Sequence, residues 1–338
     1  MSTLKNVGFN TDKYLRLQSK KINDIIKKSK TKLYIEFGGK IVDDKHSARV
    51  LPGYREDTKV DLLKKVCRHG EIIFVVSAKD IIKGRIRGDH KITYDKETIR
   101  LIKEFRRRGI KIKHVAISLI QDPKNIPPSI KKFTKKLKLL NLKVYYFLAN
   151  TNYPQKTVNF SEFKNNPFIK SRKKIIAIVS PGGGSGKFGI CLSQLYHEIL
   201  SGITPDYLKF ETFPVYDLAI DHPLNLAFMS ASADFYDICM RDCRHGKATS
   251  YNRDLENYEL LNLLAKQFPV GGKNLAKLTS ATNMGINMVS RAITNDELVQ
   301  KEAAAEIARR IIRYKFEIAQ GQEDEKVLER ARNIIKML

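Results

Sequence analysis

The chain of 338 residues has no apolar run approaching the roughly eighteen residues of a membrane-spanning helix, and its opening segment MSTLKNVGFN lacks the apolar core of a secretory signal. Both absences lead to the expectation of a cytoplasmic protein with no membrane partner. Cysteine is scarce. The four, at 67, 191, 239 and 243, are too few and too scattered for a disulfide framework, as expected in a reducing compartment. Cys239 and Cys243, with His245 and His222 nearby, are off the spacing of zinc sites, so no metal ligand set is assigned. Zinc fingers, aromatic RNP motifs, KH-type loops and internal repeats are also missing.

Acidic residues are scarce in the first half only. Residues 1–174 carry 43 Lys and Arg against 16 Asp and Glu, a net of +27, whereas residues 175–338 carry 19 against 20, a net of −1. A compositional bias would not stop halfway, so the asymmetry points to an anionic partner or substrate meeting the N-terminal half, nucleic acid among them. The basic runs at 20–32, 105–113 and 130–143 read as solvent faces of helices and strand entries.

What is present is a globular α/β pattern, with 42% hydrophobic residues and length enough for two cores. The patterning predicts strands at 32–37, 71–77, 112–119 and 143–148, alternating with helices at 57–68, 96–108 and 128–140. Strands separated in this way form a parallel sheet. A segment rich in Asn, Tyr and Pro follows, then a strand before residue 180, a helix to about 200 and a strand at 207–213 ended by Pro214. Beyond it, helices are expected at 225–241, 254–267, 296–319 and 324–337, with an ordered loop at 269–288. The expected fold is α/β: two Rossmann-like or P-loop-like parallel-sheet regions followed by a mainly helical C-terminal part. The divisions are a basic Rossmann-like domain (1–150), a linker (151–170), a P-loop-like region (171–220) and a helical extension (221–338).

The most informative stretch is KKIIAIVSPGGGSGKFGICLSQLYHEI at 173–199. A strand delivers the chain to a glycine-packed turn, and the following helix points unpaired N–H groups at an anion. Gly182, Gly183, Gly184, Ser185, Gly186 and Lys187 are therefore expected to hold phosphate, as of ATP or another nucleotide. The match to G-x-x-x-x-G-K-[ST] is partial, because Pro181 stands at the first glycine and Phe188 at the hydroxyl that would meet Mg²⁺. Magnesium would then be held by water and a distant carboxylate. Gly184-x-Gly186-x-x-Gly189 also fits the dinucleotide fingerprint, with Asp206 or Glu211 as the ribose-binding acid, which keeps NAD(P) open. A plain reading is a turn that lets a helix pack close to its strand.

Loops after the carboxyl ends of strands carry ligand sites in such sheets. After the first strand, Gly38, Gly39, Lys40, Asp43, Asp44, His46 and Arg49 gather charge and glycine as a substrate site, with His46 suited to acid–base work or substrate contact. Arg87 and Asp89, beside Arg85 and His90, would add a second wall. Asp221 or Glu211 would hold metal or accept a proton, and Arg253 or Arg291 would offset developing charge. Asp221 reads equally as a helix cap, and Arg253 as the partner of Asp254.

FGGKIVDDKHSARVLPG at 37–53, RGDHKITYD at 87–95 and SPGGGSGKFGICLSQLYHE at 180–198, with KFETFPV, DHPLNLAF, SYNRD and NMGINM further on, resemble the bacterial family catalogued as domain of unknown function eighteen-forty-six. The resemblance covers nearly the whole chain and implies an α/β protein with a Rossmann-like region, but no established reaction. It also implies that members are less basic in the first half and run on through a further C-terminal domain. DHPLNLAF is similar to a stretch of uridine-kinase-like phosphotransferases, which raises small-molecule kinase among P-loop activities. Three functions follow as expectations. The first is an enzyme transferring a phosphoryl group to a small molecule, the second an NAD(P)-dependent oxidoreductase, and the third a noncatalytic RNA-binding or regulatory protein. A homo-oligomer is compatible with all three.

Overall fold

The computed structural model describes residues 7–87, 90–150, 152, 157–210, 214–246 and 248–338. In chain order it contains α1 (Thr11–Lys28), β1 (Leu33–Phe37), α2 (Lys45–Val50), α3 (Thr58–Val66), β2 (Glu71–Ser77), α4 (Ala78–Ile82), β3 (Ile86–Arg87), β4 (Ile92–Thr93), α5 (Tyr94–Arg107), β5 (His114–Ile120), α6 (Pro128–Leu139) and β6 (Lys143–Leu148). The second half adds β7 (Ile175–Val179), α7 (Lys187–Leu200), β8 (Asp206–Phe210), α8 (Pro223–Ala231), β9 (Cys239–Arg241), β10 (Thr249–Tyr251), α9 (Asn252–Gln267), β11 (Gly285–Ile286), α10 (Asp296–Ala319) and α11 (Glu325–Ile335).

Seven strands form one parallel sheet in the order β11-β8-β1-β7-β2-β5-β6. The α/β class, the parallel pairing and the helical C-terminal part are as the sequence predicts. The two sheet regions, however, are joined: β7 lies between β1 and β2, and β1 is flanked by β7 and β8, both from beyond residue 170. Hydrophobic patterning identifies strands but not their neighbours, so the boundary at 151–170 is not a break in the sheet.

Side chains alternate across the sheet and feed two separate cores. Leu33, Ile35, Phe37, Phe74 and Val179 pack with α1, α3, α5 and α6, while Tyr34, Ile73, Ile176, Ile178 and Tyr207 pack with α7 and α9. That division follows from the connections. From β1 the chain moves past β7 to β2 and outward to β6, and from β7 it moves the other way, past β1 to β8 and β11. The connections leaving β1 and β7 thus part in opposite directions, which opens a crevice at their carboxyl ends.

Three local departures have physical reasons. Helix α8 ends at Ala231 rather than 241, because the Ser232 hydroxyl bonds back to Phe228 O and Tyr236 turns the chain at φ 57°, releasing it into the β9–β10 ribbon. Residues 269–288, read as a loop, supply edge strand β11. The basic run from 20 to 28 lies in a longer helix, α1, which starts where the Asn10 side chain accepts from Lys13 N and buries Tyr14, Leu15 and Ile22. No helix among the described residues is long and apolar enough to cross a membrane.

Candidate functional site

At the end of β1, Gly38 N donates to Phe210 O at 2.8 Å, and Gly39 turns the chain at φ 63°. Lys59 reaches back from α3 and lies 3.0 Å from Asp44. Asp44 caps α2, accepting from Ser47 N at 3.3 Å and Ser47 Oγ at 2.7 Å. Burial acts to raise the Asp44 carboxyl, but Lys59 and Ser47 outweigh it and hold it below the usual carboxylate range. Asp43 and Arg49 stand behind this layer. Asp43, at φ 54°, accepts from Arg100 at 2.7 Å and meets His90 at 3.1 Å, while Arg49 makes a two-pronged contact with Glu306, both bonds at 2.7 Å.

At the end of β7 the glycine turn runs into α7. Gly186, at φ 80°, caps the helix without a side-chain hydrogen bond, so the first N–H groups of α7 have no capping side chain. Lys187 is buried and folds over its own turn, donating to Ser180 Oγ at 3.0 Å and Gly182 O at 3.2 Å. Two of the glycines answer to packing. A Cβ at Gly184 would lie 2.4 Å from the Phe235 ring and one at Gly183 2.8 Å from it. Phe188, where a P-loop has its hydroxyl, is buried edge-on against Tyr207 in the core shared with α9.

Between the two loops lies a cavity of about 370 Å³. Its wall carries six cations, Lys40, Lys59, Lys187, Lys209, Arg253 and Arg310, against three carboxylates, Glu36, Asp44 and Asp237. The carboxylates are engaged: Glu36 accepts from Tyr207 at 2.8 Å, Asp44 pairs with Lys59, and Asp237 Oδ2 accepts from Arg253 at 2.8 Å. A smaller cavity of about 120 Å³ adjoins it, with Gly183, Phe235, Arg310 and Lys40 common to both walls.

His46 is the titratable group with the most developed surroundings. Its ring is buried, packs edge-on against Phe228 with centroids 4.5 Å apart, and has Nδ1 2.9 Å from Glu306 Oε1. Burial pushes the imidazole down to about 4, so it is neutral near pH 7. In the neutral ring, Nδ1–H donates to the carboxylate and Nε2 keeps its lone pair. Burial works to raise Glu306, but the His46 and Arg49 hydrogen bonds outweigh it and keep this carboxyl well below the ordinary range. Across the lining, burial pushes Asp237 up to about 6 against the opposing charge of Arg253.

Four buried polar atoms on this wall have no hydrogen-bond partner among the described residues: His46 Nε2, Ser185 Oγ, Asp237 Oδ1 and Arg310 Nε. Seven other buried side-chain atoms of this kind are scattered through the described residues, and Arg310 Nε still faces Glu306 Oε1 at 3.8 Å, so the feature of this wall is that His46 Nε2 and Ser185 Oγ, from its two loops, lie on the same cavity.

The structure therefore brings Gly38, Gly39, Lys40, Asp44, His46, Gly183, Gly184, Ser185, Gly186, Lys187 and Arg253 to one cavity, with Gly182 on its smaller neighbour. Asp221 is not brought there. It is exposed, and the cap of α8 is His222, whose Nδ1 accepts from Leu224 N at 3.2 Å and whose Nε2 lies 3.2 Å from Asp296. The Arg253–Asp254 pair does not form, since Arg253 takes Asp237 and Asp254 takes Lys209. Arg87 lies in β3, and Asp89 and Glu211 lie outside the described residues. No group of three or more His, Cys, Asp or Glu is placed to hold a metal among the described residues.

Sequence reasoning missed Glu306, Arg310 and Asp237. The first two sit in the arginine-rich stretch EIARRIIR of α10, where a buried Glu flanked by arginines was the available signal. Asp237 had none.

Comparison with known proteins is consistent over the whole length. The model of the family described as "Domain of unknown function DUF1846, N-terminal" matches residues 7–338. The UPF0371 protein cu0538 of Corynebacterium urealyticum is 37% identical over 326 residues, covering 94% of this chain and 64% of that protein. The UPF0371 proteins of Fusobacterium nucleatum and Clostridium tetani are each 39% identical over 340 residues, covering 98% of this chain and 66% of theirs. The chain thus spans a little under two thirds of the length of these relatives. The match over residues 7–338 makes the chain a member of the DUF1846 family, corresponding to that family's N-terminal region.

Proposed function

We infer that the cavity binds a phosphate-bearing small molecule of the nucleotide class and that the protein is an enzyme using His46 as its base, with phosphoryl transfer to a substrate hydroxyl as the reaction. The observation that carries this reading is that His46 Nε2 and Ser185 Oγ, buried and without a hydrogen-bond partner among the described residues, come from the two carboxyl-end loops onto one cavity wall. Six cations against three carboxylates on the lining, with Asp254 and Glu306 behind it facing Lys209 and Arg310, leave a small positive surplus that favours an anion. The uncapped start of α7, next to the buried Ser185 hydroxyl, offers backbone N–H groups to phosphate oxygens.

The roles follow from the geometry. Glu306 fixes the His46 tautomer, so Nε2 takes the proton of the acceptor hydroxyl as its oxygen bonds to phosphorus and the bond to the leaving phosphate oxygen breaks. Lys187, Lys40 and Arg310 offset the charge on the transferred group and the leaving oxygen. Phe188 supplies no oxygen, Glu36 and Asp44 are held by Tyr207 and Lys59, and Asp237 is held by Arg253 through Oδ2 alone, so in this reading the charge work rests mainly on lysine and arginine. The dinucleotide reading has less behind it. Asp206 opens β8 at the end away from the cavity and accepts from Ser29 at 2.6 Å, and a side chain at Gly189 would meet open space.

A thermal-shift screen over nucleoside phosphates, dinucleotides and sugar phosphates tests the reading. A nucleoside phosphate at about 100 times its Kd adds about 2.7 kcal/mol of stability. That increment disappears in Lys187→Ala, whereas His46→Asn keeps it and loses turnover. Absence of stabilisation by every phosphate compound at millimolar concentration overturns the proposal.

A further inference from the structure

We propose that the outer surface formed by α1, α3, α5 and α6 binds double-stranded nucleic acid through its phosphates, independently of the cavity. These four helices bury their apolar sides in the same core on one face of the sheet, so their opposite sides face solvent together. Each shows cations there: Lys20 and Lys27 on α1, Lys64 on α3, Arg106 on α5, Lys131 and Lys135 on α6. Acid is nearly missing from the same surface. Asp12, the one fully exposed carboxylate on these helices, is held by Arg55 at 2.8 Å, Glu104 is taken by Arg107 and Arg108, Asp95 faces Lys136 at 3.6 Å, Asp24 and Asp61 are half-buried, and α6 contains none. The four helices together hold 19 Lys and Arg against 6 Asp and Glu, so much of the first half's surplus lies on this one side of the sheet.

Its shape and chemistry choose among polyanions. Four neighbouring helices about 10 Å apart make a face roughly 40 Å across, and α1 with its 18 residues is about 27 Å long. A rod with one negative charge per about 1.7 Å spans such a face with several phosphates at once. An anionic membrane fits less well, because surface helices that bind lipid insert apolar side chains, and Leu139 is the one large apolar residue exposed on these four helices. A single strand fits less well, because its bases stack on exposed aromatics, and these helices expose none among the described residues. Lysines acting as point charges contact the backbone and read no bases, so binding is independent of sequence.

Fluorescence anisotropy with a random-sequence DNA duplex, its single strand and anionic phospholipid vesicles decides the matter. The duplex is expected to bind more tightly than the strand or the vesicles, with affinity falling about a thousandfold or more between about 50 and 200 mM salt. The triple reversal Lys131→Glu, Lys132→Glu, Lys135→Glu on α6 lowers duplex affinity at least tenfold and flattens the salt slope, with the circular-dichroism melt unchanged. Reversing Lys266, Lys273 and Lys277, exposed on the other face of the sheet, changes the same net charge and leaves binding within about twofold. Lys187→Ala binds duplex as the parent does. No duplex binding at about 50 mM salt, equal losses from both triple reversals, or preference for strand or vesicle each overturns the proposal.

Discussion

The cavity wall and the outer face of α1, α3, α5 and α6 both carry a surplus of positive charge, in opposite settings. In the cavity the cations are mostly buried and tied to specific acids: Lys59 to Asp44, Arg253 to Asp237, Lys209 to Asp254. On the outer face they stand in water with few acids nearby. Desolvation makes each buried charge dependent on its partner, while an exposed charge contributes little to the fold and acts at a distance, subject to salt. The same residue types therefore specify geometry in one place and attraction in the other.

The largest expected break in that comparison is at Glu306, which is 1% exposed at its side chain and holds His46, Arg49 and Arg309. Glu306→Ala leaves the buried His46 Nδ1–H without its acceptor and the buried Arg310 without its acid, while Arg49 and Arg309 still reach water, and is expected to cost about 3 kcal/mol or more in urea unfolding. A cost below about 1 kcal/mol would show that water already serves these arginines.

Next comes pH. His46 is depressed from 6.5 to about 4 in the fold, so its stabilising contribution is complete above about pH 6.5 and is lost as pH falls toward 4, about 3 kcal/mol in all. Asp237 is raised from 3.8 to about 6, so its contribution is present below about pH 4 and is lost as pH rises through 6, again about 3 kcal/mol. The two oppose each other in the parent. His46→Gln should make stability fall as pH rises across this window, and Asp237→Asn should make it rise; profiles parallel to the parent's would remove both assignments.

Gly184→Ala is a smaller perturbation, about 2 kcal/mol, from a positive φ and the approach of Phe235. If the ring is the cause, Phe235→Ala in the same chain recovers part of the loss in a double-mutant cycle. At the foot of the series, Lys135→Ala on the outer face should move stability by no more than about 0.5 kcal/mol. A larger change would mean that this lysine packs rather than attracts.

Much of this was legible in the residues. Strand and helix periodicities mark most elements, and the carboxyl-end rule groups Gly38, Gly39, Lys40, Asp44 and His46 with residues 183–187. The failures are those of long-range pairing. Nothing near His46 announced a carboxylate at Glu306, and His222 displaced Asp221 as the cap because its ring nitrogen accepts the Leu224 N–H. The glycines were legible as a turn, but the ring of Phe235, which two of them accommodate, comes from a segment whose apolar letters continue the helical pattern.

The position of β1 has a consequence for how the chain acquires its fold. Leu33 pairs with Ile175 on one side and Asp206 on the other, so this central strand finds neither neighbour until just over half of the sequence is available. Its contacts close very long loops, the kind that slow folding. During synthesis the first half emerges with a strand-shaped gap between β1 and β2, and a fragment ending near residue 150 would expose the edges that β7 and β8 cover. The crevice between β1 and β7 thus waits on the second half of the chain, and its wall is finished only by Phe228, Arg253 and Arg310, so the site's existence depends on segments far along the sequence.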